Sequence, residues 1–244
     1  MKELYIRHYL LDGPANFRDL GGFLTKENKI TKFNLLYRSD KFDAISEKDI
    51  ETFKKIGLKT IIDFRSDQEV QKYPDIVPEF MEYHRILLME KNLQGAKDGF
   101  YKSMKVRYEE IIKYDQDNIK KIFELIDEKL DEGGIVFHCS AGKDRTGVTA
   151  ALLLMLFGVQ NSDIVADYET SFSYNEELYK KRFADRTPEQ IADMWPLLQS
   201  ERENMVNLLK IVNSENIEEY LLSCGIKQET LDSIKSKCLR DIEY

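Results

Sequence analysis

Apolar positions along the chain change their period several times, and the changes mark out elements. Phe17 to Ser39 alternates and reads as an antiparallel hairpin, with Thr25-Lys26-Glu27-Asn28-Lys29 as its turn and Phe33–Tyr37 as its return strand. Ser46 caps a helix running to about Lys55, and Gly57 ends it. Thr60–Phe64 is a continuous apolar run, the mark of a buried strand, and a short helix begins near Asp67 before Pro74 stops it. Tyr83–Leu88 is a further strand. Asn92 to Phe100 is polar with two glycines and predicts a mobile loop. From Tyr108 to Leu130 the spacing turns helical, with Ile111, Ile112, Ile119, Ile122, Phe123 and Ile126 on one face. Gly134-Ile135-Val136-Phe137 is another buried strand, and a long apolar helix follows from near Thr146. Beyond Val159 every signal is helical. Ser162-Asp163 and Thr187-Pro188-Glu189 open helices, Trp195-Pro196 breaks the second, and Ser200–Val212, Ile217–Ser223 (stopped by Gly225) and Gln228–Leu239 complete the chain.

Strands alternating with helices, then helices alone, predict an α/β fold. Its central, mostly parallel sheet is flanked by helices, and an all-helical cap grows from the C-terminal half. No repeat, low-complexity tract or linker divides residues 1–244, so the expectation is one domain with a helical lid inserted over 160–200. The most apolar stretch, Val148–Val159, is about a dozen residues, short of the ~20 that a membrane span requires.

Lys plus Arg number 36 against 44 Asp plus Glu, a formal charge of −8. That balance argues against nucleic acid or a broadly basic membrane-facing surface as partner. Three cysteines, Cys139, Cys224 and Cys238, are too few and too odd for a disulfide framework and point to a reducing compartment. The first eleven residues lack the apolar run of a signal peptide, so a cytoplasmic location is expected, with export still open if a leader has been removed.

The chemistry concentrates in His138-Cys139-Ser140-Ala141-Gly142-Lys143-Asp144-Arg145-Thr146-Gly147. A strand, a tight loop and a helix N-terminus in that order make a cradle of backbone N–H groups for an anion. Cys139 lies at its base, where the helix terminus favours the nucleophilic thiolate. Arg145, after five intervening residues, returns a guanidinium that grips two phosphate oxygens at once. Nucleophile, cage and cation together suit phosphoryl transfer, with Ser140, Ala141, Gly142, Lys143, Asp144 and Arg145 forming the phosphate-binding loop. Gly142 lets backbone approach the anion, Thr146 offers its hydroxyl to the sulfur, and His138 orients the loop. The chemistry calls for no metal or cofactor, and His8 and His84 are too isolated to form a metal site. The same cradle would also serve a phosphate-binding adaptor that never turns over.

This loop resembles that of the protein tyrosine phosphatase superfamily, and His-Cys-x-x-Gly-Lys-Asp-Arg-Thr-Gly is similar to a bacterial branch of tyrosine and lipid phosphatases. Asn16-Phe17-Arg18-Asp19-Leu20-Gly21-Gly22, Leu36-Tyr37-Arg38-Ser39, Ile61-Ile62-Asp63-Phe64-Arg65-Ser66 and, more weakly, Asp167-Tyr168 carry the same resemblance. It implies a cysteinyl-phosphate intermediate and a phosphorylated protein or phosphoinositide as substrate. Lys143 is the residue that resembles the lipid-directed members.

Cleaving an ester with a poor leaving group needs a proton donor. Asp63, ending a central strand where loops converge, is the first candidate, and the resemblance also points to it; a structural pair with Arg65 or Arg38 is its alternative. Asp144 in the loop is the second candidate, with Asp163 and Asp167 after it. Arg38 reads as a brace under the loop, and Arg18 and Asp19 as members of internal pairs.

Overall fold

The computed structural model describes residues 6–88 and 104–242, so the expected mobile loop over Asn92–Phe100 lies outside the described residues. The strands are β1 (Arg18–Asp19), β2 (Lys29–Thr31), β3 (Leu36–Ser39), β4 (Leu58–Asp63), β5 (Glu82–Arg85), β6 (Gly134–His138) and β7 (Leu239–Asp241). The helices are α1 (Glu47–Lys55), α2 (Asp67–Lys72), α3 (Met104–Tyr114), α4 (Gln116–Lys129), α5 (Arg145–Leu156), α6 (Asn161–Tyr174), α7 (Glu176–Arg182), α8 (Pro188–Leu198), α9 (Arg202–Ile211), α10 (Ile217–Ser223) and α11 (Gln228–Cys238).

Five strands form one sheet in the order β1-β3-β6-β4-β5, parallel except for β1 against β3. β6 is central and buried at all five positions, as a parallel strand covered on both faces requires. One face packs on Phe17, Tyr37, Phe42, Phe53 and Ile61, while the other meets α5 and the helices behind it. All twelve residues of α5 are buried, which explains its lack of a polar side. The loop between β6 and α5 therefore opens at the carboxyl edge of β3, β6 and β4, where open α/β sheets gather their ligands.

Local chemistry sets most boundaries. Ser46 and Asp49 form a reciprocal capping box on α1, Ser66 and Glu69 on α2, and Thr187 and Gln190 on α8. The hairpin expectation holds for β1 against β3, but the segment between them goes elsewhere. β2 pairs antiparallel with β7, a strand that the purely helical reading of the C-terminal half lacked. The helix expected over Tyr108–Leu130 is two. At Asp115 the backbone leaves helical geometry (φ −106°, ψ 22°), and Asn118 Nδ2 donates to its carboxylate at 3.3 Å, a local contact that competes with the helix ladder. Conversely, α8 runs through Trp195-Pro196 to Leu198. Pro196 stands in the last turn and costs the helix the one bond that its own N–H would have made.

The expected lid divides in two. Ile164, Val165 and Tyr168 put α6 in the main core, whereas α7 and α8 share a smaller cluster, Tyr179, Phe183 and Leu198 with Ile191, Met194 and Phe172 of α6, and Leu197 of α8 touches the main core. Among the described residues no helix is long and apolar enough to cross a membrane.

Candidate active site

Residues 139–144 form a loop in which the carbonyls of residues 140–143 are held from outside. Ala141 O accepts Asn16 Nδ2 and Asn175 Nδ2, each at 2.8 Å, and Gly142 O accepts Arg38 Nη2 at 2.7 Å. Lys143 O takes a longer bond from the same guanidinium at 3.4 Å, and Ser140 O accepts Lys41 N at 3.5 Å. In a trans peptide the N–H points opposite to the C=O, so tethering the carbonyls outward turns the next amides inward as a nest. Gly142 sits at φ +64°, and a Cβ there would lie 2.3 Å from Ser39 O, so the residue must be glycine.

Cys139 is buried at the floor of the loop. Burial alone raises its thiol, but the Arg145 charge opposes it, Thr146 adds hydrogen bonds, and the result lies below the ordinary thiol range. The Thr146 hydroxyl is fully buried and has no other partner. Arg145 opens α5, and its two terminal nitrogens meet the Glu69 carboxylate, Nη1 to Oε2 at 2.7 Å and Nη2 to Oε1 at 2.6 Å. Its Nε is buried without a partner. A guanidinium has two edges that fit an oxyanion pair; Glu69 takes the terminal edge, leaving Nε of the lateral edge unsatisfied. Ser140 Oγ also donates to Glu69, at 2.5 Å.

Asp144 is the N-cap of α5, yet its side chain makes no capping bond. It accepts the Tyr108 hydroxyl at 2.7 Å and keeps partial exposure at the loop's exit. Lys143 Nζ donates to Leu197 O at 2.6 Å and Gln199 O at 3.0 Å and lies 3.5 Å from Asp144 Oδ1.

Asp63 takes the structural course that its sequence context left open. It is fully buried, and its carboxylate oxygens receive Arg65 Nε at 2.9 and 3.0 Å, Arg65 Nη2 at 2.9 Å and the Tyr83 hydroxyl at 2.7 Å. Burial pushes it up, but His138 and Arg65 outweigh that and hold it below the usual carboxylate range, as an anion with no proton to give. Arg65 reaches on to Asp75 at 2.5 Å, and Asp75 lies 3.3 Å from His138 Nε2. His138 Nδ1 faces Cys139 O at 3.2 Å. Asp63, Asp75 and His138 come close enough together to suggest a metal, but Arg65 already supplies the cation between the two carboxylates.

Under the other side of the loop, Arg38 Nη1 and Arg18 Nε both bond Asp167, at 2.7 and 2.8 Å, all three side chains being buried. Arg38 thus links Asp167 to the loop carbonyl of Gly142. Asp163 lies beside a cleft with Arg7 and Tyr174. Glu69, Asp75, Asn175 and Tyr108 were not singled out by sequence. Ser66-x-x-Glu69 is legible as a capping box, but nothing in it signals that the same carboxylate bridges to Arg145.

A family model described as tyrosine phosphatase family matches residues 9–240. The chain is 34% identical over 144 residues to a tyrosine-protein phosphatase of Nostoc commune, covering 57% of this chain and 49% of that protein, so it spans about half the length of that relative. It is 30% identical over 217 residues to a candidate tyrosine-protein phosphatase of Cupriavidus necator, covering 79% and 74%. The triple specificity protein phosphatase PtpB of Mycobacterium tuberculosis is 25% identical over 190 residues, 65% of this chain and 67% of that one. The crystal structure of P. aeruginosa TpbA aligns with 84% of this chain and 96% of its own at 12% identity and a TM-score of 0.44, too remote to carry the assignment.

Proposed function

The chain belongs to the tyrosine phosphatase family, and from that premise we propose that it hydrolyses phosphate monoesters, phosphotyrosine foremost, through a cysteinyl-phosphate intermediate. The observation that carries this is Cys139 at the floor of an amide cradle beside a buried arginine whose Nε has no partner. The Cys139 thiolate attacks phosphorus, forming the S–P bond as the ester P–O bond breaks. Loop amides and Arg145 hold the equatorial oxygens as charge builds on them. Asp144, the partly exposed carboxyl at the rim, protonates the departing oxygen, then takes a proton from the water that cleaves S–P and frees phosphate. Ser140, Ala141, Gly142 and Lys143 contribute backbone, and His138 and Thr146 support the sulfur and its loop.

The engagement of Lys143 by α8 favours a singly phosphorylated side chain over a phosphoinositide headgroup, since the loop cation that a second phosphate would use is already spent. The test is pre-steady-state release of p-nitrophenol from p-nitrophenyl phosphate. A burst stoichiometric with enzyme, lost in Cys139→Ser, is expected. Turnover that survives in Cys139→Ser refutes the mechanism, and vanadate binding without any turnover in the unaltered protein would make it a phosphate-binding adaptor.

A further inference from the structure

Lys143 presents a puzzle as a substrate ligand. Its side chain is 1% exposed, and its ammonium spans to the end of a helix that is distant in sequence. The carbonyls of a helix's last turn have no intrahelical partners and carry the negative end of its dipole. α8 ends at Leu198, with Gln199 already extended (φ −66°, ψ 148°), and Lys143 caps the Leu197 and Gln199 carbonyls from outside. The other end of the same hairpin is also tied to the loop. Asn175, fully buried at the junction of α6 and α7, donates Nδ2 to Ala141 O at 2.8 Å. Residues 176–198 therefore lie between two anchors that reach loop positions 141 and 143. Gly142 between them is pinned by Arg38 and packed on Ser39. Besides these anchors the hairpin packs on its small cluster and, through Leu197, on the edge of the main core.

We propose that Lys143 is a positioning residue that couples the anion cradle to the α7–α8 hairpin, so that oxyanion occupancy and seating of the hairpin strengthen one another. This rests on the phosphatase reading of the loop. With the hairpin seated, the loop keeps the backbone orientation in which its amides converge. An oxyanion binding those amides holds the same orientation, and with it both anchors. Thermodynamic linkage then makes the effect equal in both directions.

The protein supplies its own reporter. Trp195, the single tryptophan, lies on α8 two residues before one of the carbonyls that Lys143 caps; it is 43% exposed and meets Phe172 edge-on at 5.3 Å. Acrylamide quenching of Trp195 would be measured without ligand and across titrations of inorganic phosphate and orthovanadate, in the unaltered protein, Lys143→Met, Lys143→Arg and Asn175→Ala. Losing the charge-assisted bonds should shift seating by roughly tenfold or more. The expected result is that phosphate or vanadate shields Trp195 in the unaltered protein. In Lys143→Met and Asn175→Ala quenching should be high without ligand and no longer follow anion binding, which protection of Cys139 from iodoacetate measures independently. Lys143→Arg should recover part of the coupling. Asn175→Ala keeps the test open if Lys143→Met fails to fold.

Quenching in Lys143→Met that matches the unaltered protein, or an unchanged Trp195 response per bound anion with weakened anion affinity, overturns the proposal; the latter result makes Lys143 a substrate ligand. If the unaltered protein neither binds phosphate nor turns over, the phosphatase reading fails. The ligand-free comparison then still decides whether Lys143 holds the hairpin.

Discussion

Replacing Glu69 with glutamine separates two roles that its position allows. Each carboxylate oxygen accepts one Arg145 nitrogen, at 2.6 and 2.7 Å, and the Ser140 hydroxyl and Ser66 N add two further donors at 2.5 and 3.0 Å. In Glu69→Gln one oxygen keeps its bond, while the amide NH2 faces a guanidinium N–H, donor against donor. A hydrogen bond to a charged group contributes about 1.5–3 kcal/mol, and the lower half of that range applies because the Glu69 side chain is 33% exposed against 8% for Arg145. At ~1.4 kcal/mol per decade this is roughly a ten- to thirtyfold loss of kcat/KM, provided that Arg145 must be aimed to stabilise the transition state. The electrostatic effect has the opposite sign. Removing a negative charge a few ångströms from an incoming phosphate dianion strengthens ground-state binding. The expected signature is therefore a fall in kcat with KM unchanged or lower, and phosphate inhibition as tight as before or tighter. Steady-state kinetics with p-nitrophenyl phosphate and a phosphotyrosine peptide, with phosphate as competitive inhibitor, read both effects. If kcat/KM holds or rises in Glu69→Gln while phosphate binds more tightly, Glu69 is a competitor for the anion site and Arg145 is oriented without it.

The two carboxylates proposed as acids separate by leaving group. Asp144→Asn should slow an alkyl phosphate about a hundredfold or more and p-nitrophenyl phosphate far less, whereas Asp63→Asn should lower Tm with no leaving-group dependence; the reverse pattern would return the acid to Asp63. Alkylation of Cys139 by iodoacetate, followed against pH, should titrate below the free-thiol value of about 8.5, and a midpoint at that value would remove the case for an activated thiolate. Burial works against ionised Asp167, but Arg18 and Arg38 prevail and hold it well below the usual carboxylate range. Its folded pKa being the lower one, the stabilisation is complete above the unfolded value of about 3.9 and fades as pH falls through the folded one. The Tm deficit of Asp167→Asn at pH 7 should therefore shrink in strong acid, and an equal deficit at both pH values would contradict the ion-pair account.

The parts of the fold that could be read in advance are those whose sequence signal is local. α1 is announced by its capping box, α5 by an apolar run, and β4 and β6 by buried β-branched stretches. The cradle was legible because strand, loop and helix are contiguous. What escaped depends on distant partners. Leu239–Asp241 has no alternation of its own and becomes a strand only because β2 lies beside it. Apolar spacing continues across Asp115, so the break between α3 and α4 left no trace in the pattern. Asp63 and Asp144 each looked able to give up a proton; only their surroundings separate them, with Arg65 and Tyr83 closing around the first. Lys143 sits at a position that reads as phosphate-binding, yet its side chain finds the end of α8.

The pairing of β2 with β7 gives the chain a definite order of completion during synthesis. Lys29 aligns with Asp241, Lys32 N bonds Cys238 O at 2.7 Å, and the Lys32 ammonium bonds Lys237 O at 2.7 Å. On the ribosome the residues of β2 emerge about two hundred residues ahead of those of β7. Until β7 arrives, the ribbon of residues 29–31 lacks the partner on that edge. Such an unpaired edge is prone to adventitious strand pairing. Closing that edge falls to the final turn of α11 and the three residues behind it.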